Sequence, residues 1–155
     1  MADNFQASNG STTFTFAADD IGGGTLVSRV KQVVGPDGTG ADAWTLSKLL
    51  SAATTNATSV KNAPGTLGML IAVNVTATVY YLKLFNKASA PTVGSDAPVM
   101  TIPIPANSSG AGIALNFGVG LAFSVGIGLA ITSGVADLDT GSCAANAVIL
   151  TLGYA

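Results

Sequence analysis

Residues 113–131 decide the fold, and they read IALNFGVGLAFSVGIGLAI. Every odd position carries a large apolar side chain, and every even position carries Ala, Asn, Gly or Ser. Successive side chains of a β-strand point to opposite faces, so this period of two predicts one face in a core and a small-residue face against something else. A helix would scatter the large side chains around its circumference and hold four glycines of this stretch in its interior, at roughly 1 kcal/mol each. The pattern predicts sheet, and it argues against a membrane span in the uncharged residues 97–136.

An unbroken strand over residues 113–131 would be roughly 60 Å long, about three times the usual length. We therefore predict a corner at Gly118 and Gly120, which divides the stretch into strands at 113–117, 121–123 and 125–132. The remaining predicted strands are 13–16, 26–34, 67–76, 79–86, 99–104 and 147–154. Pro103 cannot donate to a strand ladder, so its strand is predicted to lie at a sheet edge.

One stretch, Trp44–Thr55, has the spacing of a short helix, because its apolar residues recur at intervals of three and four.

Many short strands separated by Gly, Pro, Asp and Asn turns predict an all-β, antiparallel β-sandwich. We favour a jelly roll over an immunoglobulin-like fold, since the chain lacks Cys-Trp-Cys spacing and several connections look long. The predicted organisation is an extended N-terminal arm at residues 1–24 and a sandwich domain at residues 25–155, with at most one short helix.

Composition narrows the class of protein. The 155 residues are 48% hydrophobic but only 9% charged, which indicates obligate association with copies or neighbours. The alternative is a small neutral domain kept soluble by Ser, Thr and Asn. A net charge of −2 without a basic stripe excludes nucleic acid as an expected partner. Cys143 is the single cysteine and the N-terminus has no apolar signal segment, so we expect folding in reducing cytoplasm.

The side chains that most enzymes depend on are missing. The sequence contains no histidine and no glutamate, so His-based triads, His metal ligands and Glu acid–base pairs are not available. Asp137 and Asp139 faintly resemble a calcium loop, but no acidic residue follows to close it, and a solvated turn is the simpler interpretation. We therefore expect no enzyme activity, no catalytic residues, no cofactor and no bound metal.

Several segments of the chain resemble a group of small virion proteins of tailed bacteriophages. The segments are DDIGG at 19–23, RVK at 29–31, GPDG at 35–38, YLKLFNKA at 81–88, APTVG at 90–94, IPIP at 102–105 and GLAF at 120–123. Proteins of this group are typically jelly-roll modules that assemble on the particle as capsid decoration or as parts of the neck or tail.

The resemblance implies a structural virion protein, assembled in host cytoplasm, that decorates and stabilises the capsid exterior as a homotrimer. Its expected partners are the major capsid protein or other virion proteins and further copies of itself, with no nucleic acid and no membrane. The candidate residues for contact with the capsid or a neighbour lie in the arm: Phe5, Phe14, Phe16 and Ile21. The alternative is a collar or tail-fibre module that binds another virion protein or a host-surface glycan, for which Trp44 is the candidate exposed aromatic.

Overall fold

The computed structural model describes residues 3–8, 13–20, 26–28, 44–107 and 109–155, the first three ranges by their strand pairing alone. The strands are β1 Asp3–Ser8, β2 Thr13–Asp20, β3 Leu26–Ser28, β4 Thr45–Leu50, β5 Thr58–Lys61, β6 Gly65–Asn74, β7 Tyr80–Asn86, β8 Met100–Ile104, β9 Ala111–Phe123, β10 Ile127–Thr132 and β11 Val148–Tyr154. Every strand pairing among these residues is antiparallel. The predicted all-β class is confirmed.

The chain falls into two compact units, residues 1–36 and 37–155. In the first unit β1, β2 and β3 form a three-stranded sheet in that order. Phe5 pairs with Phe16, and Ala7 pairs with Phe14. β3, which the sequence assigned to the sandwich, pairs with β2. The predicted GPDG turn at 35–38 lies outside the described residues, and the assignment of residues 1–24 as an arm stays a prediction.

The second unit is a jelly roll of eight strands. One sheet has the order β4-β11-β6-β9 and the other has the order β5-β10-β7-β8. The first strand of the eight therefore pairs with the last, the second with the seventh, the third with the sixth, and the fourth with the fifth. Such nested antiparallel pairs, wrapped into two sheets, are the double Greek key of a jelly roll. The predicted jelly-roll sandwich is confirmed.

Alternating side chains from the two sheets meet in one apolar core. From the sheet β4-β11-β6-β9 come Leu67, Leu70, Val148, Leu150 and Leu152, all at most 1% exposed. The other sheet contributes Leu82, Leu84, Ile104, Ile127, Leu129 and Ile131. Fully burying each such side chain stabilises the fold by about 1.5–3 kcal/mol, so the core accounts for why the sheets pair face to face.

The alternation predicted over residues 113–131 is confirmed at most odd positions, but Val119 and Val125 are 100% and 49% exposed instead of facing the core. The predicted corner at Gly118 and Gly120 is wrong. Ile113, Leu115 and Phe117 pack against the core from β9, and the strand continues past Gly118 and Gly120 to Phe123. These glycines, with φ of 61° and 95°, form a bulge instead. The bulge places residues 117–120 opposite Gly68 alone, and the chain then turns at 124–126 into β10. A bulge absorbs extra residues within one strand, so no fold-back is needed.

The helix predicted within Trp44–Thr55 is wrong, because residues 45–50 form the edge strand β4. Leu49 packs on the core, whereas Leu46 and Leu50 lie on the opposite face, exposed by 68% and 53%. Apolar residues on both faces of a strand imitate the three-and-four spacing of a helix. The strand forms because β11 offers a six-residue antiparallel ladder along it.

β8 lies at the edge of its sheet, as Pro103 predicted. β5 was not predicted, since the polar residues of TSVK give little strand signal at an edge.

Candidate functional site: an open apolar sheet face

Two loops cover the outer surface of the sheet β5-β10-β7-β8. Lys83 and Phe85 point outward from β7, yet both are buried, and all six residues of β10 are buried. The ammonium of Lys83 donates to the main-chain oxygens of Ala136 and Asp137 in the loop 133–142. Across the same surface, Pro91 of the loop 87–99 packs beside Gly128. The outward side chains of β7 and β10 are therefore covered, whereas Val99, Val135 and Leu138 of the covering loops are exposed.

Internal hydrogen bonds hold both covering loops. In the loop 87–99, Asp96 forms an ion pair with Lys87 and accepts a hydrogen bond from the Thr92 N–H at 2.6 Å. The hydrogen bond from Lys87, and then that from Thr92, hold the pKa of Asp96 below its ordinary value. In the loop 133–142 the carboxylate of Asp139 accepts the N–H groups of Gly134 and Gly141, at 2.8 and 3.1 Å. The aspartate turn therefore has a structural role in closing this side.

The outer surface of the sheet β4-β11-β6-β9, by contrast, leaves several large apolar side chains exposed. Because Leu49, Leu150 and Leu70 point into the core, their strand neighbours point outward. We call this outward surface the open face; its residues are Leu46, Lys48, Leu50, Met69, Ile71, Val73, Gly112, Ala114, Asn116, Ile149, Thr151 and Gly153. Lys48 is its single charged residue.

Strand register arranges the open face in three rows, each running from β4 through β11 and β6 to β9. The rows are Leu50-Ile149-Val73-Gly112, Lys48-Thr151-Ile71-Ala114 and Leu46-Gly153-Met69-Asn116. In the third row Met69 lies across Gly153, where a Cβ would stand 2.6 Å from Met69 Cγ. Contiguous exposed apolar surface of this kind is typical of interaction sites.

Trp44 extends the open face at one end. Its residue number has the same parity as Leu46, Lys48 and Leu50, its ring packs over Gly68, and it is 37% exposed. One side of the Trp44 ring therefore packs against the sheet and is not accessible to a ligand.

A substitution at Gly68 gives a spectroscopic test of this packing. A Cβ at Gly68 would overlap the six-membered ring, so Gly68→Ala is expected to displace Trp44 into water. Because the chain has one tryptophan, the emission maximum of the whole protein should shift to the red. Gly128→Ala is the control, since its Cβ would stand an ordinary 3.4 Å from Pro91 Cδ. An unchanged Gly68→Ala spectrum would contradict the placement of the ring.

The bulge of β9 presents an isolated apolar side chain. Val119 lies between the two left-handed glycines and is 100% exposed. Asn116 Oδ1 accepts the Gly118 N–H at 2.9 Å and holds the bulge in place. β9 is an edge strand, and a bulge at an edge interrupts the ladder that another strand would need. The bulge therefore makes this edge of the sheet a poor template for an added strand.

Polar groups at the end of the sandwich near β11 also serve the fold. Ser51 is buried, and its hydroxyl accepts the N–H groups of Ala147 and Val148 and donates to the oxygen of Ala144. Burial raises the pKa of the neighbouring Cys143 thiol.

Across residues 44–107 and 109–155, no three Cys, Asp or Glu side chains come together as metal ligands would. No helix in the described part of the chain is long and apolar enough to cross a membrane.

The structure places three of the candidate residues predicted from the sequence in one two-stranded ladder, where Phe5 pairs with Phe16 and Ala7 with Phe14. Phe5 lies in β1, and Phe14 and Phe16 lie in β2; their side chains, and the whole of Ile21, lie outside what is described. Trp44 lies beside the open face. The small-residue face predicted on residues 113–117 forms the β9 part of the open face through Ala114 and Asn116. The part on β4, β11 and β6 was not predicted, although residues 69–73 and 148–150 are apolar at both parities.

Comparison with known proteins adds no relative. Family models, curated proteins and solved structures were each searched, and none matches the chain.

Proposed function

We propose that the chain is a structural protein of a tailed-bacteriophage virion, which decorates and stabilises the capsid exterior as a homo-oligomer. The observation that supports the proposal most is the open face. A sandwich whose one outer surface is closed by loops, and whose other carries Leu46, Leu50, Ile71 and Ile149 exposed, has one surface suited to assembly.

Two features of the sequence support the same role. The charged fraction of 9% leaves little to keep the surface free of neighbours, and the resemblance of segments such as YLKLFNKA at 81–88 is to virion proteins. A jelly roll alone hosts many functions, so the fold by itself does not decide between them.

Decoration would stabilise a shell through many weak contacts that are made at the same time. Each contact between one copy and the capsid is small, but copies that bridge neighbouring capsid subunits make their contacts intramolecular, which multiplies the effect of each. The role requires binding energy and no catalytic step. It also requires no metal or cofactor.

The amount of the protein in purified particles tests the proposal. Mass spectrometry of virions, calibrated against the major capsid protein, is expected to find hundreds of copies per particle, as an icosahedral surface requires. A copy number of three to eighteen would favour the collar or tail-fibre alternative. Absence of the protein from particles would reject both.

The N-terminal arm is expected to carry part of the attachment. β1, β2 and β3 form a small sheet with β1 and β3 at its edges, and such edges can add a strand from a neighbour. Deleting residues 2–24 is therefore expected to abolish binding to particles stripped of the protein, while the β-sheet circular dichroism of the sandwich persists. Unchanged occupancy of the deletion variant would reject a role for the arm.

A further inference from the structure

We infer that the open face packs against the open face of a second copy of the chain, related by a two-fold axis that runs along the strands. The inference rests on the proposed function and names the partner for its assembly surface. It comes from how side-chain size varies across the sheet.

The two edge strands of the open face differ in side-chain size. The edge strand β4 contributes Leu46, Lys48 and Leu50, whereas the opposite edge strand β9 contributes Asn116, Ala114 and Gly112. A two-fold axis along the strands reverses the strand order of the second sheet. It therefore lays β4 of one copy over β9 of the other, and β11 over β6.

Large side chains then meet small ones at the edges of the first two rows, and Ile149 lies over Val73 in the centre of the first row. In the third row Gly153 is already covered by Met69 of its own copy. Leu50 lies over Gly112, Lys48 over Ala114, Leu46 over Asn116, Thr151 over Ile71, and Gly153 over Met69 of the second copy. Two sheets stack about 10 Å apart only when their side chains interdigitate, and large-over-small pairing allows this.

The other face-to-face arrangement lacks this fit. An axis across the strands would lay β4 over β4 and reverse the order of the rows. Leu46 would then face Leu50 at one edge, and at the other edge Ala114 would face Ala114 and Gly112 would face Asn116. The same axis would also oppose the two Lys48 ammonium groups. In the favoured arrangement each Lys48 lies at the rim above small residues of the second copy, where the ammonium reaches water. Shape and charge thus both select the axis along the strands.

The area of the face indicates a weak contact that a particle would strengthen. Four strands about 4.8 Å apart and six residues long cover roughly 400 Å² per copy, about half of what a stable interface buries on each side. A pair of this size is expected to associate reversibly in solution and to be reinforced by repetition on a lattice. If the protein is a trimer, this two-fold contact joins one trimer to the next.

Sedimentation of the purified full chain tests the inference, at concentrations up to about 1 mM so that weak pairs are populated. The wild type is expected to associate reversibly, and Ile71→Lys at the centre of the face is expected to lower the association constant at least tenfold. Val135→Lys, which adds the same charge to the loop over the other sheet, is the control and should associate as the wild type does. Leu46→Lys on the edge strand is the second face variant, should Ile71→Lys fail to fold.

Charge pairs test the axis itself. Because Lys48 of one copy is placed over Ala114 of the other, Ala114→Lys is expected to weaken association and Ala114→Glu to preserve or strengthen it. The double variant Lys48→Glu with Ala114→Lys should restore what Ala114→Lys loses. Equal effects of Ala114→Lys and Ala114→Glu would overturn the arrangement.

Two results would overturn the pairing altogether. One is a wild-type chain that stays monomeric, or keeps one fixed oligomeric mass, across the whole concentration range. The other is association that Ile71→Lys and Leu46→Lys both leave intact. Either result leaves the proposed function standing if virions still carry the protein, whereas the absence of the protein from virions rejects the function and leaves the pairing measurable.

Discussion

Lys83→Glu is expected to destabilise the sandwich by at least about 4 kcal/mol, enough to prevent folding of many domains of this size. Lys83 is 0% exposed, and its ammonium donates to the main-chain oxygens of Ala136 and Asp137. A carboxylate at this position would be buried, would have no donor to accept from and would face two carbonyl oxygens. The loop 133–142 would have to leave the outer surface of β7 and β10.

The matched control is Lys48→Glu, which makes the same charge change at an exposed position of β4. It is expected to alter the free energy of unfolding by no more than about 0.5 kcal/mol. Urea denaturation followed by Trp44 fluorescence, in dilute protein, measures both variants. If the two variants had equal stability, the burial of Lys83 and its hydrogen bonds to the loop would be contradicted.

Leu150→Ala is expected to lower the free energy of unfolding by about 2–5 kcal/mol, because it removes a core side chain and leaves a cavity between the sheets. Leu150 is 0% exposed at the centre of β11. Its neighbour Ile149 lies on the open face and is 36% exposed. Ile149→Ala is expected to cost less than about 1.5 kcal/mol, since half-exposed side chains lose less on truncation.

The two substitutions on β11 are also expected to differ in assembly. Leu150→Ala should change stability and leave the association of the folded protein unchanged, whereas Ile149→Ala should weaken association and leave the fold intact. Sedimentation measures the association of the two variants, and urea denaturation of the same samples measures their stability. An Ile149→Ala variant less stable than Leu150→Ala would show that β11 presents its other face to the core.

Much of the fold could be predicted because large apolar side chains alternate with small or polar ones along the strands that form the core. Ile127, Leu129 and Ile131 share one parity and face the core, as that parity predicts. Pro103 placed its strand at an edge because proline lacks a donor, which is a local property. The prediction of a helix within residues 44–55 failed because the structure of this segment depends on pairing with a strand distant in sequence. β4 is a strand only because β11 pairs with it some hundred residues later.

The open face could not be located from sequence because both parities of its central strands are apolar. Residues 70 and 71 are Leu and Ile, yet one is buried at 0% and the other is 40% exposed. Alternation separates an inside from an outside only where the outside is polar or small. Cover on the other sheet was indicated, because residues 79–86 carry apolar or aromatic side chains at both parities, which predicts two partly covered faces for that strand. The burial of Lys83 was not predicted, since a lysine normally predicts an exposed position.

A cryo-electron microscopy reconstruction of the intact virion would show which surface of the sandwich contacts other proteins of the particle. We expect eight-stranded jelly rolls on the capsid exterior, with the sheet β4-β11-β6-β9 packed face to face against another protein surface and the loops 87–99 and 133–142 toward solvent. A particle on which the open face points into solvent while those loops contact the shell would contradict this arrangement.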